Sequence, residues 1–322
     1  MIVSYFNNSP RSEMATPTPR TALALALLLV LCSGVAGVAA ADTEEIYDPR
    51  DLDLTVAADR ARAFLVTRGS TDPEQEVVFH WKGTIYSSIP ADPTAAPQRS
   101  FGTPLLHFEG YNVARFVEGP EPGTRRMLSR EVTLYQDPAT GELLDCWTNP
   151  HTGEAARVLH VWNDPVNFTV TDAPYRALGD QIVFTVEVPL AYPSPLPVAE
   201  YPEASAGNTY QSTELFDFFV LRDRLTDDAV SVPATLAWTR TGQWLPWMRM
   251  GQRAGGLVYH ATGQKLRYGY AELPEAVREV VEQRAPAYAN APTTDEQPNA
   301  TSWRYYMEQV QAGAYQPTCT PD

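Results

Sequence analysis

A histidine and an aspartate facing each other across a β-hairpin make an acid–base pair, and residues 129–163 offer one. Three short runs of alternating character, 129–136, 142–149 and 155–163, are separated by two copies of one turn, Asp137-Pro-Ala-Thr-Gly-Glu142 and Asn149-Pro-His-Thr-Gly-Glu154. Pro presets φ at the start of a type I turn and Gly takes the left-handed position, so each copy reads as a four-residue hairpin loop. Pairing Asp137 with Glu142, and Asn149 with Glu154, fixes a three-stranded antiparallel meander, and side-chain alternation sorts its residues onto two faces. One face carries Arg130, Asp145, Trp147, His160 and Trp162, with Trp147 opposite Ala156 and Asp145 diagonal to His160. The other carries Glu131, Thr133, Tyr135 and Cys146. On the first face His160 would serve as general base or acid, with Asp145 setting its tautomer and raising its basicity. Arg130 would hold a carboxylate or an oxyanion, and the tryptophans would form a flat apolar wall. The same pattern also describes an aromatic core layer with one satisfied His–Asp hydrogen bond, or a solvated face.

A second cluster, Trp238, Trp244, Trp247, Met248 and Met250, is interrupted by Gly242 and Pro246. Trp244 and Trp247 then either gate an apolar pocket or plug the end of a barrel. Residues 163–167 (NDPVN) read as a turn whose polar side chains could instead ring a pocket mouth. His80, His107, His151 and His260 are scattered, and no Cys/His spacing suggests zinc. There is no G-x-S-x-G elbow, P-loop, H-E-x-x-H or dinucleotide fingerprint, which lowers the case for common hydrolases, NTPases, zinc proteases and dehydrogenases. No cofactor and no metal is therefore expected.

The elements that must position these residues follow from periodicity. Residues 51–67 have helical spacing and end at Gly69. Residues 76–88 and 105–117 read as strands, the second interrupted by Gly110 as a candidate bulge, with loops at 90–99 and 118–124. Further strands fall at 181–189, 214–222, 234–240 and 256–262. Between the first two of these, 191–212 is a Pro-rich loop, a candidate lid or rim. Helical patterns at 274–284, with Pro at the first position, and 302–312 close the chain around a linker at 285–298. About nine strands with terminal helices predict a mainly β fold: an antiparallel barrel-like or strongly bent sheet around the central meander.

Residues 21–31 (TALALALLLVL) form an apolar run of signal-peptide length, too short to span a bilayer. Arg11 and Arg20 precede it and Ala39-Ala40-Ala41 offers a cleavage site, so residues 1–41 are expected to be a signal peptide, with Met14 as an alternative start. Residues 42–322 would then be one mainly β domain with a helical extension from about 274, periplasmic or secreted, and free of the membrane after cleavage. Among the 322 residues, 24 Lys+Arg against 39 Asp+Glu give a net charge of −15, which argues against a nucleic-acid partner. Cys146 and Cys319 survive cleavage, and export permits a bridge between them; two separate thiols are the other reading. Asn167-Phe-Thr and Asn299-Ala-Thr match a glycosylation acceptor, but the Ala-rich leader looks bacterial and no glycan is expected.

Several separated segments resemble one bacterial family, catalogued as domain of unknown function 1838. They are Ser129-Arg130-Glu131, residues 147–154 (WTNPHTGE), 160–167 (HVWNDPVN), 243–251 (QWLPWMRMG), 257–263 (LVYHATG) and 298–303 (PNATSW). The resemblance runs from about Asp51 to Trp303 and implies a single domain; it implies no activity. The residues themselves point first to an exported, soluble β protein that binds a small apolar or aromatic organic molecule in its interior. On the same scaffold, a cofactor-independent lyase, isomerase or hydrolase would use His160, Asp145 and Arg130. A structural or interaction protein with no open pocket is the third class.

Overall fold

In a computed structural model, residues 51–89, 101–295 and 297–320 are described, all within one compact unit, Tyr47–Asp322. The leader and the 90–99 loop lie outside the described residues. Helix α1, Ala57–Arg68, starts later than its periodicity predicts. The Asp53 carboxylate accepts hydrogen bonds from the Thr55 amide and hydroxyl, and this local turn competes with helix over 52–55. Gly69 ends it, its N–H bonding Leu65 O at 2.7 Å; any side chain there would run into Phe116.

Twelve strands follow: β1 Val77–Ser88, β2 Phe101–Glu118, β3 Arg125–Gln136, β4 Cys146–Thr148, β5 Ala155–Arg157, β6 Val161–Asn163, β7 Phe168–Val170, β8 Tyr175–Leu178, β9 Gln181–Pro193, β10 Thr209–Leu221, β11 Thr235–Gly242 and β12 Gly256–Lys265. Ten form one antiparallel sheet in the order β6-β3-β2-β1-β12-β11-β10-β9-β8, with β7 also paired to β3. No described pairing joins β6 to β8, so the sheet is open and not a closed barrel. Helix α2, Glu275–Arg284, and helix α3, Ser302–Gln311, close the chain.

Both hairpin turns form as predicted. Asp137 N–H bonds Glu142 O, Asn149 N–H bonds Glu154 O, and Gly141 and Gly153 each take φ of 76°. Trp147 faces Ala156, as the register requires. The meander, however, is not continuous. After a single bridge, Gln136 to Leu143, the chain leaves the large sheet, and β4–β5 form a separate two-stranded hairpin. The third run splits, and only Val161–Asn163 returns to pair with β3. Gly110 is not a bulge: its register runs unbroken between Trp81 and Thr133, and a Cβ there would strike Val132 O. The irregularity falls instead at Ile85–Tyr86. The 191–212 segment is not one long loop, because β9 and β10 extend to Pro193 and back from Thr209 as a hairpin.

Alternation gives the sheet two apolar faces. One buries Phe79, Phe108, Met127, Phe184, Phe218 and Trp238 with Phe64 of α1 and Trp303 of α3. The other buries Val78, Tyr111, Val132 and Leu134 under Val277 and Val281 of α2. The Trp-rich segment is a plug in the first face: Trp244, Trp247 and Met248 are buried, with Pro246–Met248 in a 3-10 turn. Asn149 in the second hairpin turn holds it, donating to Met248 O at 2.9 Å. Cys146 and Cys319 form a disulfide that ties the C-terminal tail to β4.

Candidate functional site

The predicted site residues do not converge. His160 is buried (4% exposed) beside Tyr135, and its Nδ1 accepts a hydrogen bond from the Tyr135 amide at 3.1 Å. Its Nε2 has no partner. Asp145 does not orient it. That carboxylate is exposed and lies 3.4 Å from Arg284, because Asp145 precedes β4 and escapes the alternation that buries Trp147. Burial, and then the Arg284 charge, lower the His160 pKa to about 4; Asp145 opposes this weakly. Arg130 is on the opposite face. It pairs with Asp164 at 2.7 Å and donates to Ala287 O and Asn290 O, fastening the segment after α2 to β3. Trp162 packs edge-on to Tyr288 near it, whereas Trp147 and Trp247 meet edge-on in the first face. Trp244 donates to Arg253 O.

A different group of side chains surrounds a cavity of about 930 Å³. Its wall is built from the alternating inward positions of strands at both ends of the sheet order, from α1, and from the segment entering α3. None of His160, Asp145, Arg130, Trp147, Trp162, Trp244 or Trp247 lines it. Most of the wall is apolar, with Phe64, Phe79, Phe216, Phe218 and Trp303 among its rings. Phe218 meets Phe64 and Phe79 edge-on at 5.8 and 5.5 Å, and Phe216 stacks on Trp238.

Into this apolar wall the strands set two clusters of polar groups. Glu131 on β3 stands directly across from Asn112 on β2 and Asn163 on β6. Arg240 on β11 stands across from Glu214 on β10 and pairs with it at 3.5 Å. Arg240 also donates to Ser212 Oγ and the Tyr210 hydroxyl, and lies over the rings of Tyr259 and Trp303. Burial opposes its charge, but Tyr210 and Glu214 outweigh that and raise its pKa. Burial, reinforced by the Glu214 charge, pushes Glu131 up to about 7 against the pull of Arg240, Arg68 and an Asn163 hydrogen bond. Arg68 closes this end. One of its nitrogens donates to Asn112 Oδ1, and its guanidinium lies 5.0 Å from the centre of the Phe79 ring. Its Nη1 and the Asn163 Oδ1 are buried without partners. Asn163 and Asn167 of the predicted turn also line the cavity.

Chemically, the arrangement offers an apolar chamber, a carboxyl group that titrates near neutrality, and a guanidinium with donor capacity to spare. No group of His, Cys, Asp and Glu suited to a metal occurs among the described residues. The strand patterns held the signal for these polar residues. Glu131 sits in the inward row of Thr133 and Tyr135. Glu214 precedes Phe216 and Phe218 by the same step, and Arg240 follows Leu236 and Trp238. A charge in a row of inward apolar residues needs a partner or a purpose.

The molecule is thus a large, open antiparallel-sheet protein with an interior cavity of mixed aromatic and charged lining. It belongs to the family described as protein of unknown function (DUF1838), whose pattern matches residues 74–310. No curated protein matches the sequence.

Proposed function

We propose that this protein binds a small organic molecule with an apolar or aromatic body in the 930 Å³ cavity. The observation that carries this is the cavity itself. Its size falls in the range of small-molecule sites, and a mostly apolar wall with a few convergent polar groups is what such sites have in common. One cavity drawing residues from both β3 and β9 is what a strongly bent sheet would produce, and we read the sheet that way. We further propose that the protein is exported. The leader motivates this, and a disulfide between Cys146 and Cys319 fits an oxidising compartment. A second reading is favoured by Glu131: a carboxyl group with a pKa of about 7 beside Glu214 is suited to proton transfer, so the same cavity would serve a cofactor-independent lyase or isomerase.

The test fills the chamber. Val186 lines it and is only part-buried, so Val186→Trp inserts a ring into the cavity. The neutral fluorophore N-phenyl-1-naphthylamine should bind the wild-type protein with a rise in fluorescence. The variant should retain its fold by circular dichroism and lose about ten-fold or more in affinity, roughly 1.4 kcal/mol. Equal binding by a folded variant would place the fluorophore elsewhere and remove this reading.

A further inference from the structure

We infer that the ligand of this cavity carries a carboxylate on its apolar body, seated against the guanidinium of Arg68; this rests on the cavity being a binding site, as proposed above. Arg68 is the last residue of α1, is only 7% exposed, and lines the cavity wall. Its Nη1 has no hydrogen-bond partner, and no ion pair reaches it among the described residues. A buried guanidinium left in this condition is costly, because its lost hydration is not replaced.

Nearby stands a second buried basic group, Lys265, whose pKa burial and then the Arg68 charge hold well below the ordinary lysine value. Its Nζ hydrogen-bonds the carbonyls of Val66, Thr67 and Gly69, at 2.7, 3.1 and 2.7 Å. Those carbonyls end α1, whose C-terminal partial charge amounts to about half an electron. Lys265 thus occupies the carbonyls at the end of α1, and no carboxylate is hydrogen-bonded to Arg68 among the described residues. The groups facing Glu131 are Arg68 from α1, Glu214 from β10, Arg240 from β11 and Asn163 from β6. Glu214 is already paired with Arg240. Glu131, with its pKa pushed up to about 7 by burial, is only partly ionised at neutral pH and makes no hydrogen bond to Arg68. In its protonated form it would donate to an incoming carboxylate. The Arg68 end of the chamber is thus short of one negative charge, while Phe64, Phe79 and Phe218 demand an apolar body.

Displacement of N-phenyl-1-naphthylamine from the full chain tests this with two probes of one shape, 4-phenylbutanoate and 4-phenylbutanamide. In wild-type protein the acid should displace the fluorophore at a concentration about ten-fold or more below that of the amide, as expected when a charged hydrogen bond replaces a neutral one. In Arg68→Gln the two should act within about two-fold of each other, while Arg68→Lys, which keeps a cation on a similar stem, should retain a preference for the acid. Equal displacement by the two probes in wild-type protein would overturn the inference and leave the cavity reading intact. So would an undiminished preference in folded Arg68→Gln. Failure of the fluorophore to bind at all would remove both. If Arg68→Gln does not fold, Arg68→Met, which keeps the apolar stem without the charge, takes its place and should likewise lose the preference.

Discussion

Among single residues, Glu131 and His160 carry opposite pH dependences. Glu131 has its folded pKa raised from 4.5 to about 7, so its contribution is fully present below pH 4.5 and is lost as pH rises through 7. His160 has its folded pKa lowered from 6.5 to about 4, so its contribution is present above 6.5 and is lost as pH falls through 4. The two windows overlap and largely offset each other in the wild-type protein. Glu131→Gln should unmask the histidine: the variant should match wild type near pH 4 and exceed it by about 3 kcal/mol near pH 8.5. Urea unfolding at both pH values measures this, and a pH-independent difference would remove Glu131 as the cause. The sequence places His160 on the Trp147 face without deciding between pocket, core and solvated surface. The Tyr135 amide that occupies its Nδ1 belongs to β3 and is reached only once the third predicted strand has broken. His160→Ala should therefore cost roughly 2–4 kcal/mol of stability, from the cavity it leaves and from the stranded Tyr135 amide. Its effect on ligand binding should be small, because it does not line the chamber.

Elements show where local pattern suffices and where it fails. The two Pro–Gly turns determine their own geometry, since both the φ values and the closing hydrogen bonds lie within six residues, and they were legible. The strand lengths between them were not. Residues 142–149 have the alternation of a full strand, yet beyond the single bridge at Leu143 only Cys146–Thr148 pairs as a strand. What decides this is distant: Asn149 is drawn to the Trp-rich plug, and the tail is drawn to β5, where Arg157 N–H bonds Pro317 O and the Tyr315 hydroxyl donates to Arg157 O. The cysteines set the same limit, because alternation placed Cys146 on a face without saying what Cys319 would meet. Their bridge closes a span of 173 residues. Replacing both with Ser should lower stability by about 2–5 kcal/mol. Proteolysis should then cut first within residues 312–320, and an unchanged melting temperature would show that the tail is held without the bond.

For the whole molecule, the strand order is the feature that no single segment announces. β1 pairs with both β2 and β12, so the first strand is joined to the last, and the four charged residues Arg68, Glu131, Glu214 and Arg240 come from four elements dispersed between residues 68 and 240. Periodicity revealed most of these strands and which residues point inward together, but not which strands are neighbours; pairing across such separations is a property of the complete sheet. That order also divides the sheet energetically. β2, much of β3 and the start of β1 are covered on both faces, by the core under α1 and α3 on one side and by α2 on the other. Toward the opposite end the second cover is missing: β10 alternates buried and exposed positions along much of its length, and all four residues of β8 are exposed. Backbone hydrogen bonds in a doubly covered strand open only with the whole core, whereas those at a solvent-facing edge open locally. Hydrogen exchange should therefore be slowest in β2 and the start of β1 and fastest among the large-sheet strands in β8, with β10 between them. If β8 exchanged as slowly as β2, an additional cover over that edge would be required, and the open sheet described here would be incomplete in solution.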